Sequence, residues 1–129
     1  MADDRDSVLA AHSAFYRAFE KKNLEAMEKV WSQGTESVCI HPGRDALKGW
    51  GAIRESWAQI FKNTRYLEVD VEVVSVTVQA DLAAVVAVEN VLQISDGQRL
   101  EAQSMATNIL ERLGDRWYLI HHHGSPVMK

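Results

Sequence analysis

An α+β domain is predicted for this chain, its helices packed on one face of a strongly bent antiparallel sheet. Three observations predict it. Apolar residues recur at helical spacing as far as the stretch Lys62-Asn63-Thr64 and at alternate positions beyond Arg65. The strand-like half is punctuated by Gln79-Ala80-Asp81, Asp96-Gly97 and Gly114-Asp115, turn formers placed as in a meander. No repeat, linker or low-complexity segment divides the 129 residues, so residues 1–129 read as one domain, long enough to bury roughly two-thirds of its unfolded surface.

Each element has a local reason. From about Asp4 to Lys21, Val8, Leu9, Phe15, Tyr16 and Phe19 form a helical stripe, with acidic residues at its start and Lys21-Lys22 at its end, as the helix dipole favours. Asn23 is a good N-cap for a shorter helix carrying Leu24, Met27, Val30 and Trp31 on one side. A brief strand from Val38 to His41 stops at Pro42-Gly43, because proline brings no ladder donor. A third helix, beginning near Gly49, places Trp50, Ile53, Trp57, Ile60 and Phe61 on one bulky face. In the next run the apolar phase moves from Leu67, Val69, Val71 and Val73 to Val74, Val76 and Val78, which predicts a bulge. The run LAAVVAVENVLQI is apolar on both sides. Helices can cover only one of them, so the other is expected to meet a second subunit. Leu100, Ala102, Ser104, Ala106, Asn108 and Leu110 share one face of the following strand. Alternation in the last strand groups Trp117, Leu119, His121 and His123 against Tyr118, Ile120 and His122.

Composition excludes several classes. A formal charge of −4 without a basic cluster argues against nucleic acid as a partner. The acidic start MADDRDS is unlike a signal peptide, and the longest apolar run, Leu82 to Val88, is too short to cross a bilayer. Cys39, alone in the chain, allows no internal disulfide. The expectation is a cytoplasmic protein with no membrane partner. Neither G-x-x-x-x-G-K-[ST] nor G-x-G-x-x-G is present, so no nucleotide cofactor is expected.

His41 is the leading candidate for chemistry: a histidine at a strand end, beside a loop and under an aromatic helix, stands where a pocket mouth is expected. It reads as a general base or a ligand-orienting donor, or more blandly as a histidine bonded to its own loop. Trp50, Trp57, Phe61 and Phe19 could line a cavity for an apolar molecule or simply pack the core, and His12 on its stripe reads either way. In the histidine run only His121 and His123 could share a metal; without a supporting Cys or carboxylate no metal site is expected, and one face of that strand is expected in the pocket wall, with His122 a ligand-binding candidate, and the other at an interface or in solvent. Glu89, inside the most apolar strand, could be a base with a raised pKa or a structurally paired carboxylate. A Cys39–His41 pair is conceivable, though residues two apart on a short strand seldom bond directly.

The element order, with Trp31 followed by IHPG and the motifs LKGWGAIRESW and RWYLIHHHGSP, resembles the nuclear transport factor 2-like superfamily in its SnoaL-like and ketosteroid-isomerase-like branch. The resemblance implies a cone-shaped fold whose sheet wraps around the helices to leave an apolar pocket, with homodimers formed through the sheet. It also implies roles. His41 stands where the steroid isomerase keeps its carboxylate base, Tyr16 (or Phe15, one residue away) near the oxyanion-binding tyrosine, and Asn108 where that enzyme holds a protonated aspartate. A neutral imidazole can take a proton and an amide can donate to an oxyanion, so cofactor-independent isomerase, cyclase or lyase chemistry on a small apolar molecule is the expected activity. The alternative is a non-catalytic binding or oligomerisation module, since the fold also resembles the association domain of calcium/calmodulin-dependent kinase.

Overall fold

A computed structural model describes residues 4–128. The elements follow as α1 (Asp4–Glu20), α2 (Leu24–Val30), β1 (Val38–Ile40), β2 (Leu47–Lys48), α3 (Trp50–Asn63), β3 (Tyr66–Gln79), β4 (Leu82–Ser95), β5 (Gln98–Leu113) and β6 (Arg116–Pro126). Asp4 and Asp6 open α1 and Arg17 closes it, each charge facing the favourable end of the dipole. Asn23 caps α2 by accepting from the Ala26 N–H at 3.0 Å. Gly49 leads into α3 with a φ of 83°, a conformation that a side chain would strain.

The six strands lie in the order β2-β1-β6-β5-β4-β3. The predicted bulge falls between Val73 and Ser75 and the predicted hairpin turn at Asp96-Gly97. Two expectations fail. The sheet is mixed, because β1 runs parallel to β6 and pairs Val38 with His121 and Ile40 with His123. A three-residue strand separated from its partner by a helix and three long strands carries no local signal of direction. The alternation expected in β6 also breaks. A second register shift, opposite Ile109 and Leu110, leaves Ile120 without a partner, so the residue count advances by one while the face does not. His122 and Gly124 therefore join Trp117 and Leu119 on the buried face, and His121 and His123 turn to the outer one.

The core lies between the helices and the inner face, built on Phe15, Met27, Trp31, Ile53, Trp57, Leu110 and Leu119. Phe15 and Phe19 meet Trp57 edge-on at 5.6 and 4.9 Å between ring centres. The indole N–H groups of Trp31 and Trp57 have no acceptor. Each costs about 1–3 kcal/mol unpaired, whereas burying on the order of 200 Å² of ring contributes about 5 kcal/mol, so bulk outweighs the orphaned donor. On the outer face Ala84, Val86 and Val88 remain only half-buried and Met105 is 38 % exposed.

Candidate active site

Cross-strand register assembles the site. One row across the inner face runs Cys39, His122, Asn108, Val85; the next is Gly124, Ala106, Ala87; the third pairs Ser104 with Glu89. The middle row has almost no side chain. Glu89 can therefore lean over it until Oε2 lies 3.9 Å from His122 Nε2, both residues almost fully buried. Gly124 is set close beneath the Pro42 loop: a Cβ there would stand 3.0 Å from Pro42 Cγ, a tight contact, and an ordinary 3.7 Å from Glu89 Oε1. Gly124→Ala is expected to cost about 1–3 kcal/mol through displacement of the Pro42 loop, read as a lowered urea midpoint. An unchanged midpoint would mean that the loop yields freely.

A hydrogen-bond network fixes the polarity of these groups. Tyr16 Oη donates to Glu89 Oε2 at 2.6 Å, and Asn108 Nδ2 donates to Tyr16 Oη at 2.9 Å. With the amide so oriented, its second N–H points at His12 Nε2, 2.9 Å away, which must be the unprotonated nitrogen of that ring. Asn108 Oδ1, 2.6 Å from His122 Nδ1, then accepts from it. His122 consequently carries its hydrogen on Nδ1 and turns the lone pair of Nε2 toward Glu89. Burial lowers His12 to about 4 and, with the charges of neighbouring histidines, His122 to about 3, so both are neutral at pH 7. Burial raises Glu89, the Tyr16 hydrogen bond opposing it in part. It raises Tyr16 as well, which keeps the phenol a donor.

Of these residues Glu89 and His122 line an open cavity of about 790 Å³, a size suited to a small organic molecule. Glu89, His122, Ser104 and His41 contribute polar groups, and Phe19, Trp57, Ile60 and Val91 the apolar wall. His41 Nε2 lies 2.6 Å from Ser56 Oγ and 3.7 Å from Cys39 Sγ. Burial, then the nearby Arg44 charge, lowers His41 to about 4, while burial and the Glu89 charge push the Cys39 thiol up to about 12. No thiolate–imidazole pair forms at neutral pH; the histidine holds the serine hydroxyl.

The structure redistributes the expected site. His41, Trp57, Phe19 and His122 line the cavity. Tyr16 and Asn108 lie behind Glu89 and His122, reaching the cavity only through them, and His12 and Tyr16 face a separate groove of about 390 Å³ between α1 and β3. Trp50 packs against Trp31, and Phe61 against Trp57, away from the lining. The apolar face of α3 is broader than the cavity wall, so part of it serves only the core. Ser56 escaped sequence reasoning, although a serine between Ile53 and Ile60 on an apolar stripe was a usable signal.

Three helices, a mixed six-stranded sheet and an open chamber lined in part by a buried carboxylate and imidazole define a pocket domain of the α+β class. Residues 8–129 match the SnoaL-like domain, and the chain belongs to that family, within the nuclear transport factor 2-like superfamily. Among solved structures, it is 33 % identical to a protein from Streptomyces avermitilis described provisionally as a dehydratase of the NTF2-like family, with a TM-score of 0.89 over 98 % of this chain and 97 % of that one. It is 32 % identical to a protein from Thiobacillus denitrificans described provisionally as a calcium/calmodulin-dependent protein kinase type II association domain, with a TM-score of 0.81 over 92 % and 94 % of the two chains. It is also 24 % identical over 122 residues to the F-box protein SKIP8 of Arabidopsis thaliana, matching 95 % of this chain but 50 % of that protein, so the chain spans about half the length of the curated relative it matches. No described helix is long and apolar enough to cross a membrane.

Proposed function

We propose that the domain takes a small, largely apolar organic molecule into the cavity and moves a proton on it without a cofactor, as an isomerase, cyclase or lyase does. One observation carries this reading: the cavity is lined by Glu89 and His122, held at 3.9 Å with the Nε2 lone pair facing the carboxylate. Glu89 removes a proton from carbon, and the electrons of that bond form a double bond. The proton, carried on the Glu89 carboxyl, returns to a neighbouring carbon in an isomerisation or to a departing hydroxyl, which leaves as water, in a dehydration. The description of the Streptomyces relative favours the second outcome. Roles shift accordingly from the sequence expectation: Tyr16 and Asn108 position Glu89 and His122, and His41 holds Ser56 at the rim. Native mass spectrometry of the purified protein, with a crystal structure of what co-purifies, tests the reading. A small molecule against Glu89 and His122 supports it, and a cavity that no organic molecule enters sinks it.

A second reading, a non-catalytic association module, draws on the Thiobacillus relative and the half-open outer face. Both readings include a homodimer formed through Ala84, Val86, Val88 and Met105, because four apolar side chains left partly in water are best covered by a second copy. Light scattering after gel filtration is expected to give twice the 14.5 kDa chain mass. Monomer alone at micromolar concentration overturns the dimer.

A further inference from the structure

The geometry points to a more definite occupant of this cavity: an apolar molecule with a carboxylate head held at Arg44. The inference rests on the cavity being a substrate site, and it follows from how charge is distributed along it. Among the described lining residues Arg44 is the one cation and Glu89 the one anion, and they lie at different depths. Glu89 is buried, 3 % exposed, whereas Arg44 is exposed on the loop after β1. That loop is a tight turn. The Arg44 N–H bonds to the His41 carbonyl at 2.9 Å and Gly43 holds a φ of 74°, so the origin of the arginine side chain is set by the strand end that places His41.

The Arg44 guanidinium forms no ion pair with any described carboxylate, although the chain carries a net charge of −4. It stands near enough to bear on His41 electrostatically. A lone planar fork of N–H donors at a pocket rim matches the two coplanar oxygens of a carboxylate. Gln59, Asn63 and Gln103 also line the cavity, and Phe19, Trp57, Ile60 and Val91 give it apolar surface. Repulsion from an ionised Glu89 opposes the reverse orientation. A carboxylic acid therefore enters tail first, and the carbons delivered to Glu89 and His122 are those remote from its head.

Isothermal titration with phenylalkanoic acids of increasing chain length, each beside its methyl ester, tests this. The best-fitting acid is expected to bind at least about tenfold more tightly than its ester at low salt. That margin should shrink as sodium chloride is added and vanish in Arg44→Gln, with ester affinity unchanged. Esters that bind as tightly as acids, or a preference that survives Arg44→Gln, overturn the carboxylate head and leave the cavity reading standing. Binding of neither class by protein shown to be folded by circular dichroism overturns both.

Discussion

Acidification from neutral pH to about pH 4 is expected to unfold the domain, and to do so chiefly through two almost fully buried histidines. In the unfolded chain His12 and His122 titrate near the ordinary 6.5; in the folded chain burial holds them to about 4 and about 3. The sign follows from proton counting. Between those values the unfolded state binds protons that the folded state refuses, so stability is full above pH 6.5 and falls as pH falls. Two shifts of this size on side chains 2 % and 1 % exposed amount to on the order of 6 kcal/mol by pH 4, against a typical total of about 5–15 kcal/mol. Glu89 acts in the opposite sense, since a carboxyl raised by burial gains as it protonates, but it is one group against His12, His122 and also His41, which burial holds to about 4. Its attraction for a His122 cation is weak for the same reason: it is itself pushed toward its neutral form. Urea unfolding followed across this range is expected to show the midpoint collapsing below pH 6, and His12→Gln to flatten the slope. A midpoint constant from pH 7 to about 4 would mean that water reaches both rings.

How much of this was legible in the sequence depends on the range over which each signal acts. The three helices, the bulge near Val74 and the turn at Asp96-Gly97 are written in periods and dipeptides a few residues long, and all are present in the fold. The parallel edge and the phase slip at Ile120 are settled by pairing with β6 and β5, and WYLIHHH, apolar or aromatic on both sides, conceals a one-residue advance. The candidate site divides in the same way. His41 at its strand end and Glu89 in an apolar strand stand out locally. That Glu89 accepts from Tyr16, 73 residues away, and faces His122 across a row of small residues is a product of register alone. Arg44, beside Gly43 in the HPGR loop, gives only a weak sequence signal for an anion, because a lone glycine with one arginine falls far short of a phosphate loop.

Glu89→Gln is expected to separate a structural carboxylate from a reactive one by the sign of its effect. The substitution keeps the shape and leaves an oxygen to accept from Tyr16, so a purely structural glutamate would lose stability or stay neutral on losing its charge. A carboxylate raised by burial behaves otherwise. Above its folded pKa it holds a charge in a desolvated site, and the fold is weaker there than it would be with a neutral group; below the ordinary 4.5, where both states are protonated, the difference closes. The variant should therefore melt at a higher temperature than the parent at pH 8, with the two curves converging toward pH 4. Proton transfer should move the other way. Deuterium loss from an α-deuterated cyclic ketone bound in the cavity, followed by NMR, is expected to slow by about 10²–10⁴-fold, the usual contribution of a positioned base. A more stable variant that no longer exchanges identifies a group retained at a cost to the fold for the chemistry it performs. Equal exchange in both proteins would remove Glu89 as the base, and a large fall in melting temperature would assign it to the scaffold.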